Sequence, residues 1–268
     1  MLGSPAHARL SLEVSYQMNE NRLVVVLGLG EVGKPLLAIL SRHYECVGID
    51  IDPVVLERPC SVLHICYPFG IQDFIATTVD HIERYLPELI VINSTVAPGT
   101  TEQVQSRLPY KRVVYSPVRG KHIKMESDLL HYKKFVAGSD PAAVELAVRH
   151  FAGAGFKTDT FGSSEIAELS KLVETTYLGV LIAWAQEVER FAARCGGSFG
   201  EVNRFIEEVR CLPSQVFPGV IGGHCVIPNI EILKARFQSE LLSAVQHSND
   251  LKRQELLDAA VVVAGGGQ

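Results

Sequence analysis

The chain has 268 residues, 47% hydrophobic and 21% charged, with a formal net charge of -5 at pH 7. This is a globular composition with no basic excess to favour nucleic acid or an anionic membrane surface as partner. No apolar run reaches the roughly 18 residues of a membrane span, and no signal peptide is evident. Six cysteines, at 46, 60, 66, 195, 211 and 225, form no C-x-x-C pair. Neither a zinc ribbon nor a disulfide scaffold is suggested, and reduced thiols in a cytoplasm fit best.

Residues 1–21 are polar and irregular and read as a mobile leader. From residue 22 to 162, strand-like runs alternate with helical ones. The apolar runs predict strands over Leu23–Leu27, Cys46–Asp50, Val62–Cys66, Leu89–Asn93, Arg112–Tyr115, Phe135–Ala137 and Lys157–Thr160. Helices are predicted over Val32–Arg42, Ile71–Arg84, Thr101–Ser106 and Pro141–Ala152. Continuous apolar strands alternating with helices describe a doubly wound parallel sheet covered on both faces, an α/β fold of Rossmann type. Ligands of such sheets bind beyond the carboxyl ends of the strands, so the loops beginning at Gly28, Asp50, Tyr67, Ser94 and Ser116 are the ones to inspect.

The first of these loops is the most informative. Gly28, Gly30 and Gly33 stand at G-x-G-x-x-G spacing between a β-branched run and a helix. The three glycines serve a tight turn, a close approach of backbone to a pyrophosphate, and helix–strand packing at an anion-binding helix N-terminus. About 20 residues on, the second strand ends in Asp50, where a ribose hydroxyl is read; an acid there favours NAD over NADP. The candidate cofactor contacts are Gly28, Gly30, Glu31, Val32, Gly33, Asp50, Tyr67, Pro68, Ser94 and Thr95, with NAD as the cofactor.

Two later loops carry polar side chains. After the fourth strand, Thr100 with Gln103 matches a capping box, and Thr95 lies nearer the ligand edge. After the fifth, Arg119, Lys121 and His122 form a basic group that is either solvated or anion-binding, and Arg119 and His122 are the substrate candidates.

From Ser163 to Arg194 the chain is free of proline and apolar at helical spacing, a span of roughly 45 Å. Ser163 or Ser164 caps this helix and Cys195-Gly196-Gly197 ends it. It is expected to link the dinucleotide domain to a helical domain within 163–268 and to supply a homodimer interface. Further helices are predicted over Phe199–Val209 and Ile230–Gln246, separated by a loop from Cys211 to Asn229. Within that loop, Gly222-Gly223-His224-Cys225 frees the backbone to bring a sulfur into a crowded site, where a following helix N-terminus helps stabilise a thiolate. The end Gly265–Gln268 reads as frayed.

The glycine motif, Asp50, Ser94-Thr95-Val96 with Pro98-Gly99-Thr100, Glu168-Leu169-Ser170-Lys171-Leu172 and Gly222-Gly223-His224-Cys225 occur in this order. Together they resemble the nucleotide-sugar 6-dehydrogenases (UDP-glucose, GDP-mannose and UDP-N-acetylhexosamine dehydrogenases) over roughly residues 22–235. The resemblance implies a double, NAD-dependent oxidation of a sugar hydroxymethyl group. Cys225 would form a thiohemiacetal and then a thioester, Lys171 would supply a cation beside the oxyanion, and Thr95 would hold a water or the substrate hydroxyl. Glu168, Thr175 and His224 are the further substrate candidates.

Four features depart from the family pattern. Thr175 stands where an asparagine is expected, and Asn229 occupies the place of an aspartate that acts as a base. The chain stops about 40 residues past Cys225, short of the family's C-terminal domain. The usual insertion after the second strand is also missing. A smaller substrate or a single oxidation would follow. Two alternatives stay open: a β-hydroxyacid-dehydrogenase-like oxidoreductase with Lys171 as acid/base, and a non-catalytic NAD-binding protein.

Overall fold

A computed structural model of the chain describes residues 22–120, 124–208, 216–222 and 225–265. It divides into two compact units, Met1–Ser94 with Gly99–Ala167, and Thr95–Pro98 with Glu168–Gln268.

The first unit is built on a parallel sheet of β1 (Leu23–Leu27), β2 (Cys46–Ile49), β3 (Cys60–Ile65), β4 (Leu89–Ile92) and β5 (Val113–Tyr115). The strand order is β2-β1-β3-β4-β5, with Val25 of β1 registered against both Val47 and Leu63. Every residue of β1, β3, β4 and β5 is buried, as expected where helices cover both faces. Val24, Val26, Val62, Val91 and Val114 pack one face against α1 (Gly33–Leu40), α4 (Met125–His131) and α5 (Pro141–Gly153). α2 (Phe74–Tyr85) and α3 (Thr100–Arg107) lie together against β3 and β5.

This is the α/β, Rossmann-type parallel sheet expected, with differences of detail. Between β2 and β3 no helix intervenes, and the chain crosses β1 in the stretch 50–59, which has no regular secondary structure. β6 (Lys134–Val136) and β7 (Thr158–Thr160) do not continue the main sheet. They pair with each other in parallel, and an antiparallel bridge between Tyr115 and Ala137 ties them back to β5. α4 has no counterpart among the predicted helices; its seven residues are too few for a periodic apolar signal.

α6 (Ser164–Arg194) runs for 31 residues. Ser163 accepts the amide of Ile166 at 3.5 Å and so is the capping serine, whereas Ser164 donates to Glu102 at 3.0 Å. At the other end Gly197 reaches back to the carbonyl of Ala192 at 2.9 Å. The second unit adds α7 (Phe199–Glu207), α8 (Val226–Arg236) and α9 (Glu240–Gly265). Its core joins Leu172 and Ala183 of α6 to Ile221, Val226, Ile230, Leu233, Leu242 and Val245. The single helix predicted over 230–246 is two, broken at Phe237, whose extended backbone ends α8. α8 also starts earlier than predicted, directly after Cys225.

Candidate functional site

The glycine turn owes its shape to contacts that exclude side chains. Gly28 has φ 88°. A Cβ at Gly33 would stand 1.8 Å from the Gly28 carbonyl oxygen, so the start of α1 rests directly on the turn. Gly30 differs: nothing lies within 4 Å of its Cβ position, which leaves room for a ligand against the backbone. α1 has no side-chain cap and no acidic residue in its first turn, so its own side chains do not neutralise the positive end of the helix dipole. The Asp50 carboxylate accepts the amide N–H of Leu29 at 3.3 Å, bringing the acid at the end of β2 onto the same turn. Glu31 is exposed and Val32 half-buried beside it.

The neighbouring strand ends are fastened to one another. Ser94 is buried and its hydroxyl donates to the Tyr67 carbonyl at 2.6 Å and the Ile65 carbonyl at 3.3 Å. The Tyr67 hydroxyl turns toward α2, pairing with Thr78 at 2.6 Å, and burial raises its pKa. Pro68 is exposed. Arg119 lies over the rings of Tyr132 and Phe135 at 5.4 and 6.0 Å. His122 and His224 lie outside the described residues.

The capping box predicted at Thr100 does not form. Gly99, with φ 89°, occupies the N-cap of α3, and Gln103 donates to its carbonyl at 3.2 Å. Thr100 is buried one position inside the helix.

In the second unit the remaining candidates gather on α6 and α8. Cys225 is the N-cap of α8, half-buried, with no side-chain capping bond and no acidic residue in the first turn. One turn later, the buried Asn229 donates its amide to the Thr175 hydroxyl at 2.6 Å. Thr175 donates in turn to backbone carbonyls of its own helix, at 3.0 Å to Leu172 and 3.3 Å to Lys171. A Cβ on Gly179 would meet Val226 at 2.7 Å. With Gly179 against Val226 and Thr175 against Asn229, the two helices run antiparallel. Lys171 and Cys225 therefore stand about one turn to either side of the Asn229–Thr175 pair. Lys171 is largely buried, 12% exposed, and its amine reaches Glu174 at 3.3 Å. Glu168 is fully buried and Thr95 half-buried. Sequence reasoning missed Arg236, which donates to the Pro98 carbonyl in the segment carrying Thr95; a lone arginine at a helix end carries no signal of such a role.

Burial pushes the thiol of Cys46 up to about 11 and those of Cys60 and Cys66 to about 12, so these three are poor nucleophiles. Among the described residues, no group of three or more His, Cys, Asp or Glu could hold a metal ion, and no helix is long and apolar enough to cross a membrane.

Residues 165–251 match the model of the UDP-glucose/GDP-mannose dehydrogenase family, central domain. That segment holds the α6–α8 pair and Cys225. Over that segment the chain is similar to this family's central domain. The nucleotide-sugar dehydrogenases it resembles include the UDP-N-acetyl-D-mannosamine dehydrogenase of Methanocaldococcus jannaschii, 28% identical across 85% of this chain and 65% of that one. The UDP-glucose 6-dehydrogenase of Streptococcus pneumoniae is 25% identical across 88% and 75%. The structure of the UDP-D-ManNAc dehydrogenase of Pyrococcus horikoshii superposes with a TM-score of 0.79 at 20% identity, covering 91% of this chain and 72% of its own. The 3-hydroxyisobutyrate dehydrogenase of Mycobacterium tuberculosis superposes with a TM-score of 0.66 at 16% identity, covering 88% and 94%. The chain spans 61% and 65% of two UDP-N-acetyl-D-mannosamine dehydrogenases that it matches.

Proposed function

We propose that the chain is an NAD-dependent oxidoreductase acting on a primary alcohol of a sugar or nucleotide sugar, with Cys225 as its nucleophile. The observation that carries the cofactor half is the glycine turn: backbone packed on backbone at Gly28 and Gly33, open space at Gly30, and Asp50 bonded to Leu29. A pyrophosphate fits the open backbone, and a carboxylate at Asp50 suits a free ribose hydroxyl and repels a phosphate in its place. NAD, when bound, supplies the hydride acceptor.

The chain's own residues do the rest. The Cys225 sulfur adds to the carbonyl carbon of an aldehyde, and the resulting thiohemiacetal is oxidised to a thioester. The positive end of α8 favours a negative charge at that sulfur, and Lys171 offers a cation to the oxyanion. Thr95 holds a water or the substrate hydroxyl. The Asn229 amide is already committed to Thr175 and accepts no proton at neutral pH, so thioester hydrolysis proceeds without a base at this position and is slow. We further propose a soluble cytoplasmic protein that dimerises through α6. On that helix Val173, Tyr177, Trp184 and Phe191 are 50, 55, 59 and 46% exposed at spacings that keep one face.

A second reading, a β-hydroxyacid-dehydrogenase-like enzyme with Lys171 as acid/base, is favoured by the bond between Asn229 and Thr175, which leaves no base at that position for hydrolysing a thioester. The deciding assay incubates the chain with NAD and panels of UDP-sugars and β-hydroxyacids, following reduced cofactor and acid product. UDP-sugar oxidation that disappears in Cys225→Ser is the expected result, and Asn229→Asp is expected to raise acid yield. Unchanged turnover of Cys225→Ser overturns the covalent route. NAD binding with no reduction under any substrate identifies a non-catalytic protein.

A further inference from the structure

A buried polar chain on the α5 side of the sheet joins β6 to the ends of β4 and β5. Lys134, 3% exposed, donates to the Asn93 side-chain oxygen at 3.0 Å, to the Ser116 carbonyl at 2.5 Å and to the Pro117 carbonyl at 3.1 Å. The ammonium nitrogen also stands 4.9 Å from the centroid of the Phe151 ring. Three N–H groups on an ammonium therefore meet three oxygens, the full donor capacity of a lysine.

The rest of the chain follows from the ammonium. Because Lys134 can only donate, the Asn93 oxygen must face it and the Asn93 amide nitrogen must point away. That nitrogen lies 3.1 Å from the Val91 carbonyl and 3.2 Å from His64 Nδ1. Nδ1 then accepts, leaving the His64 proton on Nε2, which faces His150 Nε2 at 2.9 Å. Each group donates to the next, and the cation at the head polarises the series. Asn93 is the last residue before Ser94, and Ser116 and Pro117 open the loop that carries Arg119.

We propose that Lys134 is a positioning residue, one ammonium that fastens the two ligand-edge loops beginning at Ser94 and Ser116 and so sets the backbone on which the cofactor rests. This rests on the NAD reading of the site. A buried cation is a costly way to hold a fold, since an apolar side chain of similar volume is often as stable. What the ammonium does that a methionine cannot is hold two separate strand ends at hydrogen-bond distance at once. The neighbouring Lys133 makes only a surface ion pair, 2.7 Å to Asp159.

The test compares Lys134→Met, Lys134→Gln (which keeps two donors) and the surface control Lys133→Gln, at a temperature where circular dichroism shows all of them folded. Two quantities are read: the NAD dissociation constant, and amide hydrogen exchange without cofactor over Asn93–Ser94 and Ser116–Gly120. Lys134→Met is expected to weaken NAD binding at least tenfold and to speed exchange at both loops, Lys134→Gln less so, and Lys133→Gln not at all. NAD affinity within twofold of the parent in Lys134→Gln and Lys134→Met overturns the proposal, whether or not exchange changes. If the parent chain binds no NAD, the reading of the nucleotide site fails instead. In that case the exchange arm still decides: unchanged exchange overturns the claim that Lys134 holds the loops.

Discussion

Lowering the pH from 7 to 5 acts on the buried histidines of the first unit before most carboxylates are protonated. His64 and His150 are 0 and 4% exposed and face each other ring to ring. Burial lowers both pKa values, that of His64 well below 6.5 and that of His150 to about 3. The unfolded chain binds protons at these sites near pH 6.5 while the folded chain does not. The stability they contribute is therefore complete above pH 6.5 and lost progressively as pH falls toward the folded values. At 1.36 kcal/mol per pH unit, each histidine costs about 2 kcal/mol between pH 7 and 5, and the pair about 4 kcal/mol. His81, half-buried on α2 and lowered mainly by burial, adds in the same direction. Against a total of about 5–15 kcal/mol this is a large loss. Urea unfolding followed by fluorescence should show the midpoint dropping by about 1–2 M from pH 7 to pH 5. The double variant His64→Leu/His150→Phe removes both titrating rings, leaves the Asn93 amide with the Val91 carbonyl as acceptor, lowers stability at every pH and should abolish most of that drop. A midpoint that does not move with pH, or an unchanged drop in the double variant, would refute the reasoning.

Gly33→Ala places a methyl carbon 1.8 Å from the Gly28 carbonyl, so the turn and helix must separate by more than 1 Å. Calorimetric titration should find NAD binding weakened by about 100-fold or more, with a stability loss of only about 1–3 kcal/mol. Replacing Tyr177 and Trp184 by glutamate puts charge on the exposed apolar face of α6; if α6 forms the proposed dimer interface, light scattering should report a dimer for the parent chain and a monomer for the variant.

Much of the first unit was legible because its strands are short apolar runs alternating with helical ones, a pattern set by burial on both faces. The β1 turn and the 31-residue α6 were legible for the same reason: glycine spacing in one, unbroken helical periodicity in the other. Strand order was not. Whether β3 lies outside β2 or beyond β1 depends on what covers the stretch 50–59, and that stretch has no periodicity to read. The break at Phe237 was hidden because apolar spacing continues across it. Lys134 was illegible as a buried residue, since a Lys-Lys pair ahead of a strand looks solvated. His64 did offer a signal: a polar residue within the otherwise apolar run Val62–Cys66 requires a buried partner. The candidate site was legible as residue types but not as contacts. That Asn229 and Thr175, two separate departures from the family pattern, bond to each other follows only from the register of α6 on α8.

Among the described residues, the short β2 lies at the rim of the main sheet with no further strand paired to it. Its four residues are bracketed by Glu45 and Asp50 and interrupted by Gly48. A second molecule seeking to extend the sheet would have to strip water from both carboxylates while gaining few hydrogen bonds. Those charges and that glycine make β2 a poor template for strand addition by a neighbouring molecule.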